Sequence, residues 1–324
     1  MNIGFTTSFP IEVIFAAGHT PIDLNNIFVL NDPSTLVRGA ERKGFPRNIC
    51  AWIKGMYSVI NQNPIDIIIG IIQGDCSNTH SLMAILRDES KRILPFSYNW
   101  DKDYDTLDKE ISKLEKYFHV TRMQTQTVKK ALDKIRKKLI SLDELTWKTN
   151  QVSSYENHLW LVTSSDFSGD YVKYANELDA FIEEATQRTP YQSSVRLGFV
   201  GVPPILEDIY PFVESCDARV VFNEVQRQFS MFYLEDDIVC QYLKFTYPYA
   251  IFDRINDIEH AITERSLDGL IAYTQSFCHR QLDLLSLKKH IDIPILQIEG
   301  DQPVKLDART KLRIESFIEM IKGE

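Results

Sequence analysis

The feature that most constrains this chain is a weak internal duplication, the kind of repeat that fixes an architecture before any single element is assigned. Ile3-Gly4-Phe5 leading to Phe9-Pro10-Ile11 matches Leu197-Gly198-Phe199 leading to Pro203-Pro204-Ile205, with Pro six residues after Gly in both. Further on, Asp66 through Gln73 and Cys76 match Asp268 through Gln275 and Cys278: Cys follows Asp by ten residues and Gln by three in each block. The two matches occur in the same order, a few residues of insertion apart.

Short apolar runs alternating with helical periods read as βαβ units on a parallel sheet. The first repeat continues to a second strand at Thr20–Leu24, the second at Arg219–Phe222; both end on a further strand, Arg92–Phe96 and Pro294–Ile298. The continuous apolar run Ile67–Ile72 suits a strand buried on both faces. The expected fold is α/β: two similar doubly wound parallel-sheet domains, each of about four strands, joined by a helical connecting segment. The boundaries read 1–110 for the first domain, 111–190 for a mainly helical connector and 191–324 for the second domain. Leu107, Ile111, Leu114 and Phe118 give the stretch from Tyr104 to Leu142 its helical period, and Asp307–Ile321 has the same character.

Charge narrows the partners. The net charge is −9, which argues against nucleic acid, whose phosphates need a surplus of Lys and Arg on some face. The basic stretch Arg38, Arg42, Lys43, Arg47 and Lys54, interrupted by Glu41, reads as a solvated helix face, with a local basic pocket as the alternative. No apolar run is long enough for a membrane span, and MNIGFTTSFPIE lacks the basic and apolar regions of a secretory signal. A cytoplasmic location is expected.

Five cysteines is an odd number, and none falls in a CxxC or other compact zinc spacing, so a disulfide framework is not expected. Each is by default a small buried hydrophobe. Position separates them. Cys76 and Cys278 both follow a buried strand, where ligands bind beyond the carboxyl ends of parallel sheets. Two halves packed about a pseudo-twofold axis would let these two face each other. Cys50 lies in Gly44-Phe-Pro-Arg-Asn-Ile-Cys50-Ala-Trp52, where Pro46 and Asn48 favour a helix start. A cysteine in a first helical turn beside Arg47 and Lys54 would have its thiolate stabilised by dipole and cations. Cys216 and Cys240 lack such context and read as structural.

These segments resemble the 2-hydroxyacyl-CoA dehydratase D-component family, which includes benzoyl-CoA reductase subunits and double-cubane-cluster proteins. Phe9-Pro10-Ile-Glu12 through Ala16-Ala17-Gly18 and Pro21 is similar to the family's N-terminal signature. Phe45 to Cys50, Gly74-Asp-Cys76 and Phe277-Cys278 resemble its three cluster-cysteine segments, and Ile293 to Asp301 followed by Arg309 to Phe317 its ending. The resemblance covers nearly the whole chain; many members have Cys-Asp where this one has Cys76-Ser77.

The resemblance implies a [4Fe-4S] cluster on Cys50, Cys76 and Cys278, between the halves, with one iron left open. It implies an acyl-CoA thioester substrate and a separate ATP-dependent activator that injects a low-potential electron. The thioester carbonyl would then become a ketyl radical that expels a leaving group ordinary acid–base chemistry cannot remove. A homo- or heterodimer with a related subunit is implied, and the class of enzyme is a lyase or a related low-potential reductase. The chain has no GxxxxGK[ST] loop, consistent with an external energy source. A double-cubane cluster would need more thiolates, with Cys216 and Cys240 the remaining two. The alternatives are a non-catalytic electron-transfer or scaffold subunit, a double-cubane-type reductase of small molecules, and a cluster-free ligand-binding protein.

His19, His80 and His279 are candidates to donate a proton or a hydrogen bond near the cluster, against the plainer reading of capping or surface histidines. Gln73 and Gln275 recur with the cysteines and would orient their loops. Arg309 and Arg313 share a helix face, where a salt bridge is the plain reading.

Overall fold

The computed structural model describes Met1–Gly323. It divides into two compact units: Met1–Lys137 with Thr163–Asn176 and Gln228–Ala250, and Lys138–Val162 with Glu177–Arg227 and Ile251–Glu324. Neither unit is continuous, and the helices between residues 104 and 185 are shared between them.

In the first unit β1 (Asn2–Phe5), α1 (Ile11–Ala16), β2 (Thr20–Asp23), α2 (Leu24–Leu30), α3 (Pro33–Arg42), α4 (Ala51–Gln62), β3 (Ile67–Gln73), α5 (Ser77–Asp88) and β4 (Ile93–Ser97) follow in order. The four strands form one parallel sheet, β2-β1-β3-β4. After it come α6 (Tyr104–Tyr117), α7 (Arg122–Trp147), α8 (Ser154–Thr163) and α9 (Tyr171–Ala185).

The second unit repeats the plan with β5 (Val195–Gly201), α10 (Ile209–Ser215), β6 (Ala218–Asn223) and α11 (Glu224–Phe229). The helix α12 (Ile238–Lys244) belongs to the first unit. Then follow α13 (Ile251–Arg265), β7 (Gly269–Gln275), α14 (Asp283–His290), β8 (Ile295–Gly300) and α15 (Ala308–Lys322). Its sheet is again parallel, in the order β6-β5-β7-β8. The duplicated α/β fold is therefore present, with the same strand order in both halves.

The core strands behave as their composition demands. Ile67, Ile68, Ile69 and Ile71 of β3 are buried, and β7 is buried along its whole length. In the second unit Val200, Val221, Phe222, Ile258 and Leu270 join one apolar cluster. Helix starts are set by aspartates: Asp32, Asp103 and Asp307 each accept the backbone N–H of a Thr three residues on.

The hydrogen bonds at the strand starts are duplicated too. Asp66 N donates to Asn2 O at 2.9 Å and Asp268 N to Arg196 O at 2.8 Å, while Ile68 N donates to Arg92 O and Leu270 N to Pro294 O, both at 2.9 Å. Among the described residues no helix is long and apolar enough to cross a membrane.

Candidate functional site

An open parallel sheet exposes its binding crevice at the carboxyl ends of the strands, where neighbouring connections diverge. The strand orders place that point between β1 and β3 in the first unit and between β5 and β7 in the second. The loop after β3 carries Cys76, and the loop after β7 carries Cys278. The matched cysteines thus occupy the same topological position in the two sheets.

In the first unit the loop after β1 is anchored by phenols. Tyr98 Oη donates to Ser8 O at 2.7 Å and Tyr242 Oη to Phe9 O at 2.8 Å. Beside it, Gly74 has φ +94°, and a Cβ there would stand 2.8 Å from Pro248 Cβ and 2.9 Å from Tyr98 Cβ, so the turn into Cys76 requires glycine. Asp75 fixes the next step: its Oδ1 accepts Cys76 N at 2.7 Å and its Oδ2 accepts Thr79 Oγ1 at 3.1 Å. Cys76 is the N-cap residue of α5, with its Sγ 3.5 Å from Thr79 Oγ1. Burial and the adjacent Asp75 carboxylate push the Cys76 thiol up from its ordinary pKa. A metal at this sulfur would displace that proton.

Cys50 is also an N-cap residue, of α4, one position before the first turn where the sequence placed it. One further detail differs from expectation. Lys54 is fully buried, with Nζ 2.8 Å from Glu41 Oε1 and 3.2 Å from Arg47 O. Its charge is thus committed to Glu41, because a buried ammonium needs a close counter-ion. Arg38, Arg42, Lys43 and Arg47 are exposed, as expected of a solvated helix face.

Cys278 is the N-cap residue of a 3-10 turn, His279–Leu282, that runs directly into α14. Its N–H donates to Gln275 O at 3.0 Å, and Gln281 N donates to Cys278 O at 3.1 Å. The residue before it, Phe277, holds φ +63° and is 57% exposed, an uncommon conformation for an aromatic residue. Ser276 secures the loop, donating N–H to Gly300 O at 2.7 Å and Oγ to Glu299 Oε1 at 2.6 Å. Gln275 is buried and donates Nε2 to Asp301 O at 2.8 Å. Its counterpart Gln73 is exposed, so the two matched glutamines hold different environments.

The three cysteines share a setting that Cys216 and Cys240 lack. Each occupies the N-cap position directly before a helical turn. All five are partly buried and none is in a disulfide. Cys216 is instead the C-cap of α10, at the edge of the second sheet opposite Cys278, and Cys240 lies inside α12. Soft thiolates at helix starts are the donor chemistry an iron–sulfur cluster takes, and in kind these three fit it. Among the described residues no three His, Cys, Asp or Glu side chains stand together as a metal-holding group.

The histidines are scattered. His19 lies in the turn between α1 and β2, its ring edge-on to Phe118 at 5.8 Å, at the opposite edge of the first sheet from Cys76. His80 is exposed in the first turns of α5, and His279 is exposed directly after Cys278. Arg313 donates to Gln297 O at 2.5 Å, and Arg309 is exposed.

Three enclosed polar groups, two of them fully buried, have no mark in the hydrophobic sequence pattern. Glu12 is 0% exposed, with Oε1 2.7 Å from Arg136 Nη2 and Oε2 accepting Tyr242 Oη at 2.8 Å. Arg254 is gripped by Glu224 at 2.6 and 2.7 Å, reaches Gly201 O at 3.0 Å and meets Asp283 at 3.1 Å. It therefore ties the end of β5 to the start of α14, two elements that flank Cys278. His158 is half-buried between Tyr210 and Gln226, and desolvation lowers its pKa to about 4, which keeps it neutral. Nothing in the helical periods marks Arg136 or Arg254 as buried; Glu12 alone had a signal, as part of a recognisable segment.

The model of one protein family, described as 2-hydroxyglutaryl-CoA dehydratase, D-component, matches residues 6–321 of the chain. No curated protein matches it.

Proposed function

The chain belongs to the 2-hydroxyglutaryl-CoA dehydratase D-component family, and on that premise we propose that it is an iron–sulfur enzyme subunit acting on an acyl-CoA thioester. The observation that carries the reading is the equivalent placement of Cys76 and Cys278, each on the loop that follows the strand beside its sheet's divergence point. A pair of unrelated core cysteines has no reason to share that position in two copies of one plan.

Cys50, Cys76 and Cys278 are the proposed ligands of a [4Fe-4S] cluster. When bound, such a group supplies a low-potential electron and a Lewis-acidic iron for the substrate oxygen. The chain's own residues prepare the ligands. Asp75 and Thr79 fix the Cys76 backbone and sulfur, Ser276 and Gln275 fix the strand end before Cys278, and Arg254 braces the helix that follows it. The reaction is dehydration of a 2-hydroxyacyl-CoA or the related reduction, driven by a separate ATP-dependent electron donor, with a related subunit as partner and the cytoplasm as compartment.

Anaerobic purification followed by iron analysis tests the assignment. Iron should be retained in Cys240→Ala and lost in Cys50→Ala. Wild-type protein that carries zinc, or no metal, ends the proposal. Calorimetry with an acyl-CoA then separates a catalytic subunit, which should bind it, from an electron-transfer scaffold, which should not.

A further inference from the structure

The carboxyl edge of the first sheet carries the cysteine loop; the opposite edge holds a cleft of about 630 Å³, within the ordinary size of small-molecule sites. It gathers residues from separate elements: His19 before β2, Arg92 before β4, Lys113 and Lys116 from the last turns of α6, and His119 just beyond. Among the described residues no carboxylate lines it, on a chain whose net charge is −9. Glu110 is paired with Lys113 at 3.2 Å, and Asp66 accepts the backbone N–H of Asn2 at 2.7 Å. Neither Arg92 nor Lys116 is paired with a carboxylate among the described residues; Arg92 donates to Tyr117 Oη at 3.0 Å.

The carbonyl end of α6 accounts for lysines in its last turn, since cations are favourable there. It does not account for Arg92, which a different connection delivers to the same cleft, nor for the aromatic side of the lining. Phe118 and Tyr117 have ring centroids 5.0 Å apart, and the His19 ring stands edge-on to Phe118. Guanidinium and ammonium groups match phosphate oxygens, and the exposed Tyr117 ring, edge-on to the buried Phe118, matches a planar base.

We propose that this cleft is a binding site for a nucleoside polyphosphate, with the phosphates on Arg92, Lys113 and Lys116 and the base against the exposed ring of Tyr117. The site is independent of the cysteines and of the iron–sulfur reading. Full-length protein would be titrated calorimetrically with ADP, pyrophosphate and adenosine at low and at physiological salt. The expected result is one ADP per chain, weaker binding of pyrophosphate, and weakening with salt. Lys116→Glu, on an exposed helix end, should weaken ADP binding at least tenfold, as should Arg92→Glu where its thermal midpoint is unchanged. A paired control, Arg42→Glu with Lys43→Glu on the exposed face of α3, should leave it intact. Because ADP is also a fragment of coenzyme A, binding that survives Lys116→Glu belongs elsewhere and overturns the proposal. So does the absence of binding by either phosphate compound, or equal loss in the control.

Discussion

The carboxylate of Asp66 accepts the backbone N–H of Asn2 at 2.7 Å, and Asp268 repeats the arrangement on Arg196 at 2.8 Å. In each unit an exposed acid before one strand thus ties down the start of its neighbour. Asp66→Asn and Asp268→Asn should each lower stability by up to about 1 kcal/mol, the range of a single hydrogen bond. Urea unfolding reads the loss, and the two should add because the sites share no partner.

The loops at the strand ends depend on backbone more than on charge. Gly201 has φ +113°, and a Cβ there would lie 2.0 Å from Tyr273 O; Gly74 faces Pro248 and Tyr98. Gly201→Ala should therefore cost on the order of 2 kcal/mol or more, and Gly74→Ala somewhat less, since side chains can shift where a carbonyl cannot. Thermal midpoints check the order.

Glu12 and Arg136 form a buried ion pair in which both side chains are almost wholly excluded from water, at 0% and 2% exposure. Glu12→Gln leaves the Arg136 guanidinium with Asp133 alone, 2.9 Å from its Nη1, as counter-ion and should cost up to about 3 kcal/mol, the low end for a broken buried pair. Tyr242→Phe removes only one hydrogen bond to the same carboxylate, and that to Phe9 O, and should cost about 1–3 kcal/mol. A double variant well short of the sum would show that they act as one network.

Asp166 and Asp23 are buried together at the end of β2. Asp166 accepts Asp23 N at 2.7 Å and Ser168 N at 2.9 Å, and Ser165 Oγ donates to Asp23 at 2.6 Å. Burial, and then the neighbouring Asp23, push Asp166 up to about 7, while burial raises Asp23 too. A carboxyl that holds its proton more tightly folded than unfolded stabilises the fold at low pH, so stability should fall as pH rises from about 4 to about 7. Asp166→Asn should flatten that part of the pH profile of thermal unfolding.

Much of the scaffold was legible in particular residues. The apolar run at Ile67 suits a buried strand, and the Asp-to-Cys interval shared by residues 66–76 and 268–278 placed both cysteines at matching strand ends. What stayed hidden depends on partners distant in sequence. Arg136 sits in a helix rich in Lys and Arg and looks like surface, yet Glu12 draws it inside. Lys54 reads as a cation available to Cys50 until Glu41 claims it. The return of residues 228–250 to the first unit rests on single contacts such as Tyr242 to Phe9 and Ser230 to Ser164, which no local period encodes.

The central claim is that Cys50, Cys76 and Cys278 hold one iron–sulfur cluster. Iron and acid-labile sulfide per chain, measured on anaerobically purified wild type and on Cys76→Ala and Cys278→Ala, test it most directly. About four of each in the wild type, with substantial loss in both variants, is the predicted result. Wild type without iron, or variants that keep the full complement, would contradict it.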